Sequence, residues 1–524
     1  MDLPGGAYII CTQPFKLLHL KRGITMSNEI LRQYPLEPLV RREFLKRASL
    51  ATLAWGASPS RAAWAQGGAA TGSLLIQGGL IVTAERQFLA DIRARAGKIE
   101  QIAPNLTPLS SGEEQVVDAR GMLVLPGGID PHTHLPGSVE DLASGTATAL
   151  AGGITTIGAM TFPRTGENVT EAVSRVSSLI AQQAMADVLI QPGLREFDDD
   201  APRQLAALYA AGHTSVKIQM QRPSFDQRGM DFLNLIRSAG EAGAITLIHC
   251  EDHPIVTDTT DALMAAGKTS ARYWGESRPV LAELVSVQRA IALSEHTGAP
   301  IYVVHLSSGR ALDACREARA RGIPVYVETR PTYLHMTEDL YAGVDPGLYI
   351  ASPPLRTARD VEEIWRGLTD GDIDVLGSDH SVLNRAQKAN PELTLKTLRP
   401  GFSNLEVMLP MLHSEGVVGG RITLERFVAV TSTLPARLFG LFPRKGTIAE
   451  GSDADLALWN PTQRRRVRAA DLKSVCDWSP YEGREVTGWP QMTIRRGEIV
   501  YDGDQITAQE GSGRLLTRGP TQSL

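Results

Sequence analysis

Cysteine is scarce in this chain: Cys11, Cys250, Cys315 and Cys476 are the four in 524 residues, with no CxxC and no paired spacing. Neither a disulfide framework nor a thiolate zinc site is indicated, so the fold has to stand on its apolar core. An excess of one charge is also missing. A formal net charge of -5 gives no electrostatic ground for nucleic acid or an anionic membrane as partner, and a small molecule is expected instead. Past residue 66 no stretch approaches the ~18 apolar residues that span a bilayer. The mature protein is expected to be soluble, with one large domain and a smaller companion, as the length allows.

Residues 1–66 differ from the rest. Arg41-Arg42-Glu43-Phe44-Leu45-Lys46 is followed by an apolar, small-residue run from Ala48 to Ala57 and then by Ala63-Trp64-Ala65, a small-x-small cleavage pattern. This order resembles a twin-arginine export leader. It predicts passage through the twin-arginine export machinery of a bacterium, a periplasmic or otherwise exported location, and a mature chain from Gln66 after cleavage near Ala65. Met26 is a candidate true start, because a leader beginning there has an ordinary length.

Between residues 123 and 380 short β-branched or apolar runs alternate with longer helical stretches, as parallel βαβ units require. The runs are Leu123–His132, Gly153–Met160, Asp187–Leu194, Ser215–Met220, Ile245–Glu251, Ile301–Ser307, Val325–Arg330 and Ile373–His380. Helical periodicity marks Glu171–Ala186, Pro202–Ala211, Pro279–His296 and Gly309–Arg321. Eight such units predict an α/β fold, a (β/α)₈ TIM barrel over residues 127–439. An open doubly wound sheet is the alternative, but no phosphate-binding glycine motif opens the first helix. The flanks, 71–126 and 440–505, carry short alternating strands and predict one small β-sandwich assembled from both ends. Residues 506–524, polar and rich in Gly and Thr, read as a flexible tail.

His132-Thr133-His134 closes the first barrel strand. With a side-chain period of two, both imidazoles face the barrel mouth, where TIM-barrel active sites lie, and the i, i+2 pair points to metal ligation rather than to a packed core histidine. Lys217, His249, His305 and Asp379 end four other strands. Each has a bland reading alone, Lys217 as a snorkelling surface lysine or Asp379 as a helix cap. Together they put a ligand type at the end of five strands, and unpaired charges inside a barrel are costly. They are expected to converge on metal.

At this point the chain resembles the cyclic amidohydrolases of the amidohydrolase superfamily: hydantoinases, dihydropyrimidinases, allantoinases and dihydroorotases. The resemblance runs from Leu74 to about Gly503. It is carried by Gly127-Gly128-Ile129-Asp130-Pro131-His132-Thr133-His134, Ser215-Val216-Lys217, His249-Cys250-Glu251, Val304-His305-Leu306-Ser307, Ser352-Pro353-Pro354-Leu355-Arg356, Gly377-Ser378-Asp379-His380 and Lys445-Gly446-Thr447. It implies metal-dependent hydrolysis of a cyclic amide, an imide or ureide ring such as a hydantoin or dihydropyrimidine. It implies two divalent ions, zinc by default with manganese or cobalt as substitutes: His132 and His134 on the first, His249 and His305 on the second, and carbamylated Lys217 bridging both. Asp379 would bind the first ion and shuttle a proton from the attacking water to the leaving nitrogen. It also implies a homo-oligomer, a dimer or tetramer.

The substrate contacts depart from the familiar patterns. Dihydroorotases follow the HxH with Leu-Arg, whereas this chain has Leu135-Pro136, which disfavours dihydroorotate. Hydantoinases place a tyrosine five residues past the lysine to steady the oxyanion; here Arg222 stands there. It could replace the tyrosine, bind an anionic substituent, or lie on the loop. Ser352 keeps the serine before Pro-Pro-Leu-Arg whose main chain contacts the ring imide. The asparagine those enzymes use near Pro400 is replaced, and Asn404 is the candidate to compensate. An allantoinase-like or acyclic N-acyl hydrolase is the alternative enzyme, and a scaffold relative without metal the non-enzymatic one.

Overall fold

The computed structural model describes residues 72–110 and 112–524; the expected leader lies outside the described residues. The chain opens with β1 (Ser73–Val82), β2 (Gln87–Arg95), β3 (Lys98–Ala103), β4 (Glu114–Asp118) and β5 (Leu123–Pro126). It continues into the barrel strands β6 (Gly128–Thr133), β7 (Ile154–Thr161), β8 (Asp187–Pro192), β9 (Ser215–Gln219), β10 (Ile245–His249), β11 (Ile301–Val303), β12 (Val325–Thr329) and β13 (Val375–Leu376). Then β14 (Leu456–Arg466), β15 (Glu485–Arg495) and β16 (Glu498–Tyr501) return to the first sheet.

The two ends of the chain form one eight-stranded sheet in the order β16-β15-β14-β5-β1-β2-β3, with β4 on β1. The junction is the antiparallel pairing of β14 with β5, Leu456 opposite Pro126. The sheet folds over on itself, so Leu74, Ile76 and Ile92 from one end pack with Leu456, Met492 and Ile494 from the other. The small β domain expected from both ends of the chain is thus built on one continuous hydrogen-bonded sheet that folds over on itself. β1 runs as one strand through Gly78-Gly79, bulged between Ile76 and Gly79. Gly78 takes φ 75° there, and a side chain at Gly79 would meet Val124 Cγ2 at 2.4 Å.

Eight parallel strands make the barrel, as sheets β6-β7-β8 and β13-β12-β11-β10-β9. The parallel bridges Gly193 to Lys217 and Thr133 to His380 close them into a ring, with Leu194 N–H donating to Lys217 O at 2.9 Å and His134 N–H to His380 O at 2.8 Å. The first expected run, Leu123–His132, is two strands in two sheets. The chain breaks at Gly127, where a Cβ would sit 2.3 Å from Thr155 Oγ1, so β5 belongs to the bent sheet and β6 to the barrel. Helices fall where the periodicity put them. In Val169–Gln183 the buried Val169, Ala172, Val173, Val176 and Ile180 recur at three and four residues, and Asn168 with Glu171 forms a reciprocal capping box.

The polar tail is docked rather than free. Leu515 bridges Val188 at the start of β8, Leu516 is buried in the barrel's inner cluster, and Arg518 Nη2 donates to Ile190 O at 2.8 Å and Ser215 Oγ at 2.9 Å. Its composition reads as mobile because its binding energy lies in main-chain bonds to strand starts, such as Leu516 N–H to Val188 O at 2.8 Å, which side-chain polarity does not reveal.

Candidate metal centre

His132 ends β6 fully buried. Its Nδ1 lies 2.7 Å from Glu328 Oε1, which turns Nε2 toward Asp379 Oδ1, 3.4 Å away. His134 Nε2 lies 3.0 Å from the same oxygen. His132, His134 and Asp379 thus offer three ligand atoms within 4.8 Å of one another. A second pair of nitrogens converges beside them: His249 Nδ1 and His305 Nε2 are 3.1 Å apart. The four imidazoles follow one another across the mouth, His134 to His132 at 5.5 Å, His132 to His305 at 5.4 Å and His305 to His249 at 4.7 Å between ring centroids.

Lys217 projects from the middle of β9 and is 1% exposed. Its Nζ and the Nε2 of His132 are buried without a hydrogen-bond partner among the described residues. Such orphaned groups in a barrel interior are costly, and a donor set of imidazoles, a carboxylate and an amine suits divalent transition metals. The residues therefore fit a metal centre. Burial lowers the Lys217 ammonium to about 8, against the pull of Glu328 and Asp379. Burial also pushes His305 well below its usual value, with His249 beside it adding to the effect, so the imidazole is neutral as a ligand must be. For Asp379 burial acts upward, but His132, His134 and Arg330 overcome it and hold the carboxyl well below its ordinary range.

Two of the candidate ligands sit in strained backbone. His305 has φ 39° and Asp379 φ 48°, the left-handed region that non-glycine residues avoid. Both follow very short strands, and the turn aims each side chain into the mouth. Strain of this kind persists where surrounding contacts over-determine it: His305 N–H donates to Glu328 Oε1 at 3.0 Å, and Arg330 Nη1 pairs with Asp379 Oδ2.

Glu328, Arg330 and Glu251 were not singled out in the sequence. Glu328 also accepts from Tyr302 OH at 2.8 Å, so one carboxylate orients a ligand from β6 and a turn after β11. Glu251 Oε2 lies 2.8 Å from His249 Nε2 and accepts from Ser352 Oγ at 2.5 Å. Carboxylates that fix the far nitrogen of a ligating histidine are a general feature of metal sites. The available signal was Glu328 and Arg330 inside a β-branched run, where charged groups have to be paired.

Of the expected substrate contacts, Ser352 lies beside the centre, joined by a cis peptide to Pro353. Arg222 opens the loop after β9, its Nε donating to Gln219 Oε1 at 3.3 Å. Asn404 departs from the expectation. It is fully buried, its Nδ2 donating to Ser378 O at 2.8 Å and its Oδ1 accepting from Tyr481 OH at 3.1 Å. Both ends of that amide bind protein, so it supports the β13 turn rather than facing a ring.

A barrel with paired histidines, a buried lysine and an aspartate at its carboxyl mouth defines a metal-dependent hydrolase class. The chain belongs to the amidohydrolase family, whose model matches residues 123–500. It is 35% identical over 456 residues to a D-phenylhydantoinase of Escherichia coli, covering 85% of this chain and 98% of that one. The solved dihydropyrimidinase of Brevibacillus agri superposes with a TM-score of 0.81 at 32% identity, covering 86% of this chain and 100% of that one. The L-hydantoinase of Arthrobacter aurescens gives 0.78 at 28%, covering 85% and 99%.

Proposed function

We propose that this protein opens cyclic amide rings of the hydantoin or dihydropyrimidine kind by metal-dependent hydrolysis. The observation that carries the reading is the convergence of His132, His134 and Asp379 beside the facing nitrogens of His249 and His305, with Lys217 buried and unpartnered on the neighbouring β9. His132, His134 and Asp379 would hold one divalent ion and His249 and His305 another. Lys217 would bridge them as a carbamate, formed when its neutral amine adds to CO₂ and gives up a proton; burial supplies that neutral amine by lowering its pKa to about 8. When bound, the ions supply an acidified water and a Lewis acid for the amide carbonyl. Zinc is the first choice for this donor set, and manganese or cobalt are substitutes.

Asp379 is the proton carrier in this reading. Its Oδ1 faces the two histidine nitrogens and its Oδ2 pairs with Arg330, which holds the carboxylate where it would accept the proton of water and return it to the ring nitrogen. Ser352 borders the space where the ring would lie, held by its bond to Glu251.

The test is metal content together with ring opening, followed as ultraviolet loss for hydantoin, dihydrouracil, dihydroorotate, allantoin and a simple cyclic imide. Opening of hydantoin, dihydrouracil or the imide with two ions per chain is expected, with dihydroorotate poor. Cleavage of allantoin or linear amides alone would transfer the chain to the allantoinase-like or acyclic class. Silence on every ring, or no bound metal, would overturn the reading. The arginine pair and cleavage pattern of residues 41–65 support export by the twin-arginine machinery, which cell fractionation of the Arg41→Lys, Arg42→Lys variant tests. Light scattering tests the expected dimer or tetramer.

A further inference from the structure

At the barrel mouth two guanidiniums stand without an ion-pair partner among the described residues, and they bear on which ring the site takes; the inference rests on the ring-opening reading above. Gly193 and Lys217 are bridged in parallel, so a side chain at Gly193 would face the same interior as Lys217. Phe162 fills that place: a Cβ on Gly193 would lie 2.5 Å from its Cε1. Arg195, two residues further, lays its guanidinium over that ring at 4.8 Å from the centroid. The loop bearing Arg195 is tied to the next one by Ser224 Oγ, which donates to Arg195 O at 3.2 Å. Arg222 opens that next loop, five residues past Lys217. Arg195 keeps its side chain open to solvent, yet partial desolvation, and then the charge of Arg222, pushes it below its ordinary range.

The arginines around them are satisfied. Arg175 pairs with Glu167, Arg228 with Asp199 and Asp231, and Arg289 with Asp226. Neither Arg195 nor Arg222 forms an ion pair among the described residues, although each stands on a loop that rises from a strand bordering Lys217. Two like charges carried on adjacent, tied loops are an arrangement that a bound anion relieves, and guanidinium forks match a carboxylate in plane and spacing. We propose that Arg195 and Arg222 form a clamp for a carboxylate on the ring's substituent, so that the preferred substrates are cyclic amides bearing an acidic arm.

The experiment compares hydantoin-5-acetate with hydantoin-5-acetamide, which differ in the charge of the arm and little in shape. The metal-loaded protein is expected to favour the acid by roughly 10- to 100-fold in kcat/KM, mostly through KM, as charge-assisted hydrogen bonds are worth. The preference should shrink in Arg195→Gln and in Arg222→Gln, and with added salt. Equal values for the two arms in the unaltered protein, or a preference that survives both substitutions, would overturn the clamp while leaving the ring-opening activity in place. Calorimetric titration of the same two rings reads the preference without turnover. Selective binding of the acid without ring opening keeps the clamp and refutes the hydrolase reading; no binding of either ring counts against both.

Discussion

Glu328 shows how much one side chain organises here. Its two oxygens take His132 Nδ1, the His305 main chain and Tyr302 OH, and Gly377 leaves room for it, since a Cβ there would lie 2.5 Å from Oε2. Glu328→Gln keeps the shape and removes the charge, so His132 is left with a neutral acceptor, or a wrongly flipped amide, in place of the carboxylate that fixes its tautomer. Metal affinity is expected to fall about 10- to 100-fold with the far-ultraviolet circular dichroism unchanged; unaltered affinity in a chelator competition would deny Glu328 that part. Asp379→Asn removes the proton carrier and should cost about 10²- to 10⁴-fold in kcat, and substantial residual turnover would take Asp379 out of the role. Lys217→Ala should lose much of the metal and regain some with a short carboxylic acid as substitute anion; full metal content without rescue would count against the carbamate. The candidate ligands were legible because His132 and His134 share a strand face and the others lie in or just past strands of their own. Glu328 was not, because a lone carboxylate in Val325–Thr329 carries no spacing signal; only the closed barrel shows that it faces two ligands. Asn404 shows the converse: a polar residue in the right stretch of sequence need not face the ring, because its amide bonds Ser378 and Tyr481.

At the scale of elements, the eight alternations of strand and helix were readable because each buried strand is a compact β-branched run and each helix shows its own period. What the pattern could not show is which sheet a strand joins. Leu123–His132 reads as one run, yet the close approach of Gly127 to Thr155 divides it between two sheets. The tail was misread because it contributes through main-chain bonds across the amino-terminal face of the barrel, Val188 N–H to Arg514 O at 2.8 Å and Thr521 N–H to Gly243 O at 2.9 Å among them. Removing residues 514–524 strips those bonds from strand and loop ends and exposes the cluster around Leu516 and Phe439. Burying one Leu side chain is worth about 1.5–3 kcal/mol, so the truncated chain should unfold at a lower urea midpoint by at least that equivalent. It should still bind metal, because the centre lies at the opposite end of the strands. An unchanged midpoint would show the segment to be a passive cover.

The barrel and the bent sheet are joined by a buried charge network that decides how the whole molecule responds to acid. Lys445 Nζ lies 2.8 Å from Asp187 Oδ2 at the foot of β8 and 3.2 Å from Asp453 Oδ2, and it also bonds Asp455. Arg496, in the turn between β15 and β16, pairs with Asp187 from the other side. Burial acts to raise the Asp187 carboxyl, but Lys445 and Arg496 outweigh it and hold it down at about 2. A carboxyl depressed in the folded state stabilises above its unfolded pKa, and that contribution is lost as pH falls from about 4 toward 2. Lys445→Met removes the central cation and leaves Asp187 and Asp455 buried with Arg496 alone near the first. Breaking a buried pair in this way costs about 3–5 kcal/mol, to be read as a lower urea midpoint at pH 7. Because the penalty comes from ionised carboxylates, it should narrow as pH falls below about 4, where Asp187 of the variant, no longer held down by Lys445, takes up a proton. A deficit of the same size at both pH values would assign the effect to lost packing of the lysine stem instead, and would free the joint between the two domains from any electrostatic control.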